Sequence, residues 1–170
     1  RGRREIDLIQ VAVDGQSDDK PLIYVFDTYR NRGILQARGQ YSLRGILEDE
    51  NVIKVLHCGQ GDSAALKECY GIGMANVRDT SIADSILLGC SHNTMRGLGK
   101  VLLDWLGNEV VQLTYKSNLV HEVGMFQERP LPHRLFVYSY EDVLFLGRLY
   151  TRLETCRTER GIAALWRLLS

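Results

Sequence analysis

Residues 52–70, VIKVLHCGQGDSAALKECY, decide the fold class. The run 52–56 has the character of a strand buried on both faces, as in a parallel sheet. It stops at His57, Gly59 and Gly61 loosen the turn, and Asp62 begins a helix through Tyr70 that Gly71 ends. A strand, a glycine-bearing turn and a helix in succession form the unit from which α/β sheets are assembled. Asp62 has two readings. It is a favoured helix N-cap, a role that requires no function. It also follows a buried strand behind glycines that let backbone or ligand come close, where α/β folds place their sites.

Working outward, residues 6–13 and 22–26 are apolar, β-rich runs joined by a polar turn and Pro21, short enough for an antiparallel hairpin. Residues 41–49 read as a helix with Leu43, Ile46 and Leu47 apolar. Downstream come a short strand at 75–78, a helix at 81–88, a loop at 89–94 and a helix at 98–106 stopped by Gly107. The pattern weakens over 108–129, which reads as irregular with helical turns and as the mobile part of the chain. A long helix follows from 132 to 154, entered through Pro132. A final helix, 159–169, carries Ile162, Leu165, Trp166 and Leu169 on its apolar face. Hairpin first, then strands alternating with helices, gives an α/β layout with a mixed sheet flanked by helices.

The long helix holds a second unusual carboxylate. Asp142 lies on a stripe with Leu135, Tyr138, Phe145 and Leu149, spaced by three and four residues. An unpaired buried carboxylate costs several kcal/mol, so such a residue meets a cation, a metal or a donor. Tyr138, one turn earlier, supplies a hydroxyl. Either these two groups form a site, or Asp142 sits at the stripe's edge and faces water.

Composition bounds the alternatives. At 170 residues the chain fits one domain with a sizeable core. Its net charge of zero announces no polyanionic partner. The cations are mostly Arg, clustered at residues 1–4 and again from Arg148 to Arg167, which suits phosphate contact or a solvated helix face equally. Cys58, Cys69, Cys90 and Cys156 have no CxxC pairing and no zinc-like spacing with histidine, so reduced structural thiols are expected. His92, His121 and His133 show no ligand spacing. Trp105 and Trp166 fall on apolar helical faces, while Tyr24, Tyr41, Tyr70 and Tyr115 are too scattered to make a stacking platform. No membrane span or signal peptide is visible, and a cytoplasmic or nuclear location is expected. The chain begins at Arg1 without Met and reads as a piece of something longer.

Several stretches, in order, resemble one family. IDLIQVAV (6–13) and LIYVFD (22–27) are similar to the second and third strands of the DEDD-type 3′–5′ exonuclease domain. The subclass is the one with a catalytic Tyr, which includes ribonuclease D and the Werner-syndrome exonuclease. KVLHCGQGDSAAL (54–66) follows the family's second motif, a strand ending in His with an Asp five residues on. RDT (78–80) stands where Phe-Asp-Thr is common, and GLGKVLLDWLG (97–107) matches a Leu-rich helix. RPLPHRLFVYSYEDV (129–143) matches the third motif, in which three residues separate Tyr from Asp.

The resemblance implies a ribonuclease H-like fold and two-metal phosphodiester hydrolysis of RNA or single-stranded nucleic acid from the 3′ end. Four carboxylates would hold two Mg²⁺ or Mn²⁺ ions about 4 Å apart. By the same pattern Asp62 and Asp142 are metal ligands, Tyr138 orients the attacking water, and Arg129 and His57 lie where they can meet nucleic acid. The family's first motif, Asp-x-Glu, belongs on the strand before residue 6. The chain therefore reads as a single exonuclease-like domain over 1–170 lacking its first strand, and as inactive alone. Glu5-Ile6-Asp7 has the reverse order on another strand and is no substitute. Met125-Phe126 replaces the usual Asp-Trp, Cys58 the usual Asn, and Ser139 and Tyr140 small alanines. The stretch ILEDENVIKVLH (46–57) is nearest the branch containing Egalitarian and the exonuclease-domain adaptor of the piRNA pathway. That likeness implies the alternative, an inactive RNA-binding adaptor with transport or silencing proteins as partners. A third possibility is an interaction module using the helix at 159–169.

Overall fold

The computed structural model describes residues 6–14, 20–89, 95–110 and 124–162. The hairpin forms where alternation places it: β1 (Leu8–Val13) pairs antiparallel with β2 (Leu22–Asp27), Val11 opposite Tyr24. Its open end is closed by Thr28, fully buried, whose hydroxyl donates to the Ile6 carbonyl at 2.7 Å. A 3₁₀ turn (Arg32–Leu35) then leads to α1 (Leu43–Glu48), whose Ser42 cap accepts from the Gly45 amide. Gly45 is required there, because a Cβ would stand 2.2 Å from the Gly39 carbonyl oxygen.

β3 (Lys54–Leu56) is shorter than the expected 52–56 and only half-buried, with Val52 and Ile53 on the surface. α2 (Gln60–Tyr70) ends at Gly71 in the left-handed conformation, φ +66°, and returns the chain to β4 (Val77–Asp79), parallel to β3. Parallel pairing demands such a crossover. Among the described residues the strands make two two-stranded ladders, β1–β2 and β3–β4, so the mixed character lies in one antiparallel and one parallel pair.

The remaining helices are α3 (Thr80–Leu87), α4 (Leu98–Leu106), α5 (His133–Leu144) and α6 (Leu146–Glu159). The single helix expected over 132–154 is therefore two helices. The break is at Phe145 (φ −109°, ψ 3°), outside the helical region, with its ring packed on the helical core. The break separates two packing tasks: α5 lies against the hairpin, whereas α6 packs on α3, α4 and β3. One straight stripe could not serve both, so Leu149 joins a different cluster from the groove-facing Tyr138 and Asp142. A second correction follows. Glu159 ends α6 instead of opening a helix, and Gly161 turns the chain with φ +66°. The rest of the helix expected at 159–169 lies outside the described residues, as does most of the stretch 108–129, of which 3₁₀ turns at Gly107–Val110 and Met125–Gln127 are described.

Two cores flank the middle of the molecule. Ala83, Leu87, Val101, Leu102, Leu149 and Leu153 knit α3, α4 and α6, with Trp105 packed at the edge. Leu35, Leu47, Leu66 and Ile72 make a smaller cluster beneath the hairpin.

Candidate functional site

Between β1 and β3 lies a groove of about 430 Å³. Leu8 and Ile9 of β1 form one wall and Val55 and Leu56 of β3 the other, while Asp62, Tyr138 and Asp142 also face it. Residues far apart in the chain thus arrive in one cavity. Asp62 and Asp142, expected from the resemblance to be metal ligands, both border this groove.

Asp62 is delivered by the turn after β3. The buried Asp79 carboxylate accepts from the Cys58 and Gly59 amides at 3.1 and 2.8 Å, and from the Ser81 amide and hydroxyl at 2.9 and 2.6 Å. It bends the chain and caps α3 at the same time. Cys58 is held at φ +56°, where Asn or Gly would sit more easily. Gly59 is a closer constraint, since any Cβ there would meet the Leu56 side chain at 2.8 Å. Gly59 occupies the cap position of α2 and no side chain caps it, so Asp62 is not the N-cap but stands exposed in the first turn. The cap reading of Asp62 is removed.

His57 borders the groove with both ring nitrogens engaged. Nδ1 lies 3.0 Å from the Thr80 hydroxyl and Nε2 2.8 Å from the Arg96 carbonyl. A carbonyl only accepts, so Nε2 carries a proton. Contact with nucleic acid through either nitrogen would displace one of these partners.

Tyr138 and Asp142 stand one turn apart on α5, and the phenol is hydrogen-bonded to the carboxylate. The Tyr138 ring also packs, tilted, on Phe126 with centroids 6.2 Å apart. Burial, then the Asp142 charge and that bond, push the phenol up to about 12. The Asp62 carboxyl, although its residue is exposed, is raised as well, first by desolvation where it faces the groove, then by the charges of Asp142 and Asp79. Two carboxylates bordering one groove, the charge of Asp142 disfavouring ionisation of Asp62, form a locus for a hard cation with oxygen ligands. The donor set is compatible with Mg²⁺, which is commonly held by one or two carboxylates together with water and phosphate oxygens. Among the described residues no group of three or more His, Cys, Asp or Glu side chains is arranged to hold a metal. Asp79, the next carboxylate, is already spent on the turn.

Because the raised Asp62 holds its proton in the native state after the unfolded chain has released it, this group's contribution to stability falls as pH climbs from 3.8 through the raised value. Asp62→Asn should therefore be at least as stable as the metal-free parent at pH 7. The advantage should disappear towards pH 3. Thermal melts across that range in chelator check the sign.

Arg129 is placed elsewhere. Its Nε and Nη2 donate to the two oxygens of Asp27 at 2.6 Å each, and its guanidinium lies 5.5 Å from the Tyr29 ring centroid. This pair holds Asp27 down at about 2 and ties the entry of α5 to the end of the hairpin. A phosphate at Arg129 would compete with Asp27. Asp7 faces Gln127 at 3.3 Å and the charge of Arg129, so the reversed Glu5-Ile6-Asp7 triplet does not point its Asp into the carboxylate pair. Sequence reasoning misses the supports: Asp79 and Thr80 enter only as part of the RDT stretch, and Asp84 and Arg96 are passed over. For Asp79 a signal existed, the Asp-Thr-Ser capping pattern; for Arg96 there was none.

Two carboxylates and a phenol thus border one groove beside the strands of an α/β fold. The family model described as 3′–5′ exonuclease matches residues 11–156. The chain belongs to that 3′–5′ exonuclease family. It is 28% identical over 121 residues to exosome complex component 10 of Mus musculus, a match covering 71% of this chain and 12% of that protein. Escherichia coli RNase D, an exoribonuclease involved in structured RNA processing, has a similar fold (TM-score 0.58, 21% identity, 94% of this chain, 41% of that one). So has Brucella melitensis NrnC with bound Mg²⁺ (TM-score 0.56, 24% identity, 72% of this chain, 54% of that one). The chain thus spans about an eighth of the curated relative's length. No helix among the described residues is long and apolar enough to cross a membrane.

Proposed function

We propose that this is a DEDDy-type exonuclease domain in which Asp62 and Asp142 are metal ligands and Tyr138 orients the attacking water at the 3′ end of RNA or single-stranded nucleic acid. The observation that carries the reading is the shared groove: two carboxylates 80 positions apart each border it, and the charge of one raises the other. Mg²⁺ or Mn²⁺, when bound, would supply positive charge to the scissile phosphate and an acidified water. The chain's own residues do the rest. Tyr138, kept protonated by burial and by Asp142, donates from a fixed position. Leu8 and Ile9 of β1 and Val55 and Leu56 of β3 offer apolar walls to an extended segment. We propose that such a strand completes the sheet and brings the two further carboxylates that the two-metal chemistry requires. His57 and Arg129 are the residues proposed to approach nucleic acid, each after exchanging a present partner.

The second reading is a catalytically inactive adaptor of the Egalitarian or piRNA-pathway kind, bound to RNA and to transport or silencing proteins. It is favoured by the absence of a three-ligand group among the described residues. Either reading fits a cytoplasmic or nuclear protein. A 5′-labelled single-stranded RNA incubated with the full-length protein decides between them. The nuclease reading expects shortening from the 3′ end in Mg²⁺ or Mn²⁺ that stops in chelator. Intact RNA retained by the protein in both conditions would leave the adaptor.

A further inference from the structure

Residues 28–47 carry Arg30, Arg32, Arg38 and Arg44 and no acidic residue, although the whole chain balances 21 bases with 21 acids. The segment is therefore net positive by four and the remainder of the chain sums to minus four. Of the acids that flank it, Asp27 is neutralised from outside the segment and Glu48 by the segment's own Arg44. Asp27 on one side is held by Arg129 through both oxygens, and Glu48 on the other accepts from Arg44 Nε at 3.2 Å. Arg44 also donates to the Tyr70 and Gly71 carbonyls, so it belongs to the framework. Arg30, Arg32 and Arg38 are exposed on this segment.

The segment is a built platform. Leu35 is fully buried and Leu47 nearly so, which anchors the 3₁₀ turn and α1 on the smaller core. On this anchored segment Tyr41 stands 88% exposed, far beyond what packing explains for a large aromatic ring. Tyr29 is less available, because Arg129 lies over its ring. Leu47 of α1 and Ile6, bonded to Thr28, also line the groove, so the basic segment flanks the candidate site.

We propose that this segment is a second, non-catalytic binding surface for single-stranded nucleic acid, with Arg30, Arg32 and Arg38 meeting backbone phosphates and Tyr41 stacking on a base. Planar guanidinium groups suit phosphate oxygens, and a solvent-facing ring gives a base a sequence-tolerant platform. An anionic lipid surface would use the same arginines but would not need Tyr41 to keep its ring. The proposal does not depend on hydrolysis, because binding is read with cleavage switched off.

The test is fluorescence anisotropy of a 5′-fluorescein U₂₀ oligonucleotide with the full-length protein in excess chelator, over a range of salt concentrations. The Arg30→Gln/Arg32→Gln/Arg38→Gln variant should bind more weakly. Its slope of log affinity against log salt should be shallower by about 2, from roughly 0.7 per phosphate contact on a single strand. Tyr41→Ala should lose roughly 5- to 100-fold in affinity, while Tyr41→Phe should keep it. Unchanged affinity and slope in the triple variant overturn the proposal. So does equal loss in Tyr41→Ala and Tyr41→Phe, or binding of the unsubstituted protein to anionic vesicles but not to U₂₀. Should the triple variant melt early, the two Tyr41 variants still decide. Failure of the nuclease reading would appear separately, as intact RNA when Mg²⁺ is restored.

Discussion

In the full-length protein, on the proposed nuclease reading, Asp142→Asn is expected to lower 3′-end hydrolysis by on the order of 10³-fold, equivalent to about 4 kcal/mol of transition-state stabilisation. The substitution keeps the size and an acceptor oxygen, so α5 should fold as before. What it removes is one of the two negative charges in the groove that the proposed dication would meet. The same change has a consequence that needs no substrate. Asp142 contributes, after burial, to holding Tyr138 at about 12 and Asp62 above its ordinary value. In Asp142→Asn the Tyr138 phenol should titrate lower, moving towards 10 without reaching it, because burial remains its largest cause. Absorbance near 295 nm, read against a Tyr138→Phe control, follows that phenol. Activity lost with Tyr138 unmoved would mean that the two groups do not share a site. A moved phenol with hydrolysis intact would mean that they do, but that Asp142 is dispensable to the chemistry.

Much of this site was legible because its parts carry local signals. A Tyr and an Asp four apart on an apolar helix must lie on one face, whatever the rest of the chain does. A strand that ends in His-Cys-Gly before a helix must turn sharply, and Asp62 falls at the head of that turn. The break at Phe145 was not legible. No Pro marks it, and the apolar spacing runs through it undisturbed; it arises because α5 and α6 answer to different neighbours. The N-cap reading of Asp62 failed for a related reason. The helix begins two residues earlier, held by a carboxylate from another strand, Asp79, that sequence spacing does not connect to it. Propensity sees the helix former and the cap residue. It does not see a tertiary partner that decides where the first turn starts.

The same blindness applies to Asp84, where a second large effect is expected. Asp84 is fully buried in α3, yet the sequence around it reads as an ordinary amphipathic turn. Its oxygens accept from Arg96 Nε at 2.9 Å and Nη2 at 2.5 Å, and from the Trp105 indole at 2.7 Å. One carboxylate thus joins α3, the segment before α4, and α4 itself. Asp84→Ala leaves Arg96 and Trp105 facing an apolar void, and breaking such a buried pair on one side costs about 3–5 kcal/mol. The lower end is expected here, because Arg96 is a quarter exposed and also reaches Asp104. For a chain of this size that is a fall in Tm of roughly 6–12 °C. Asp104→Asn, on the wet side of the same guanidinium, should lower Tm far less than Asp84→Ala, because water screens that pair. The asymmetry bears on the site, since the Arg96 carbonyl is what holds His57 Nε2. Once Asp84 is gone, that carbonyl loses its anchor and the imidazole its fixed tautomer, which ¹⁵N chemical shifts of His57 report directly. A double-mutant cycle of Asp84→Ala with Arg96→Ala should show a coupling of at least about 1 kcal/mol. Additive losses, with the His57 shifts unchanged, would reduce the pair to packing and detach it from the groove.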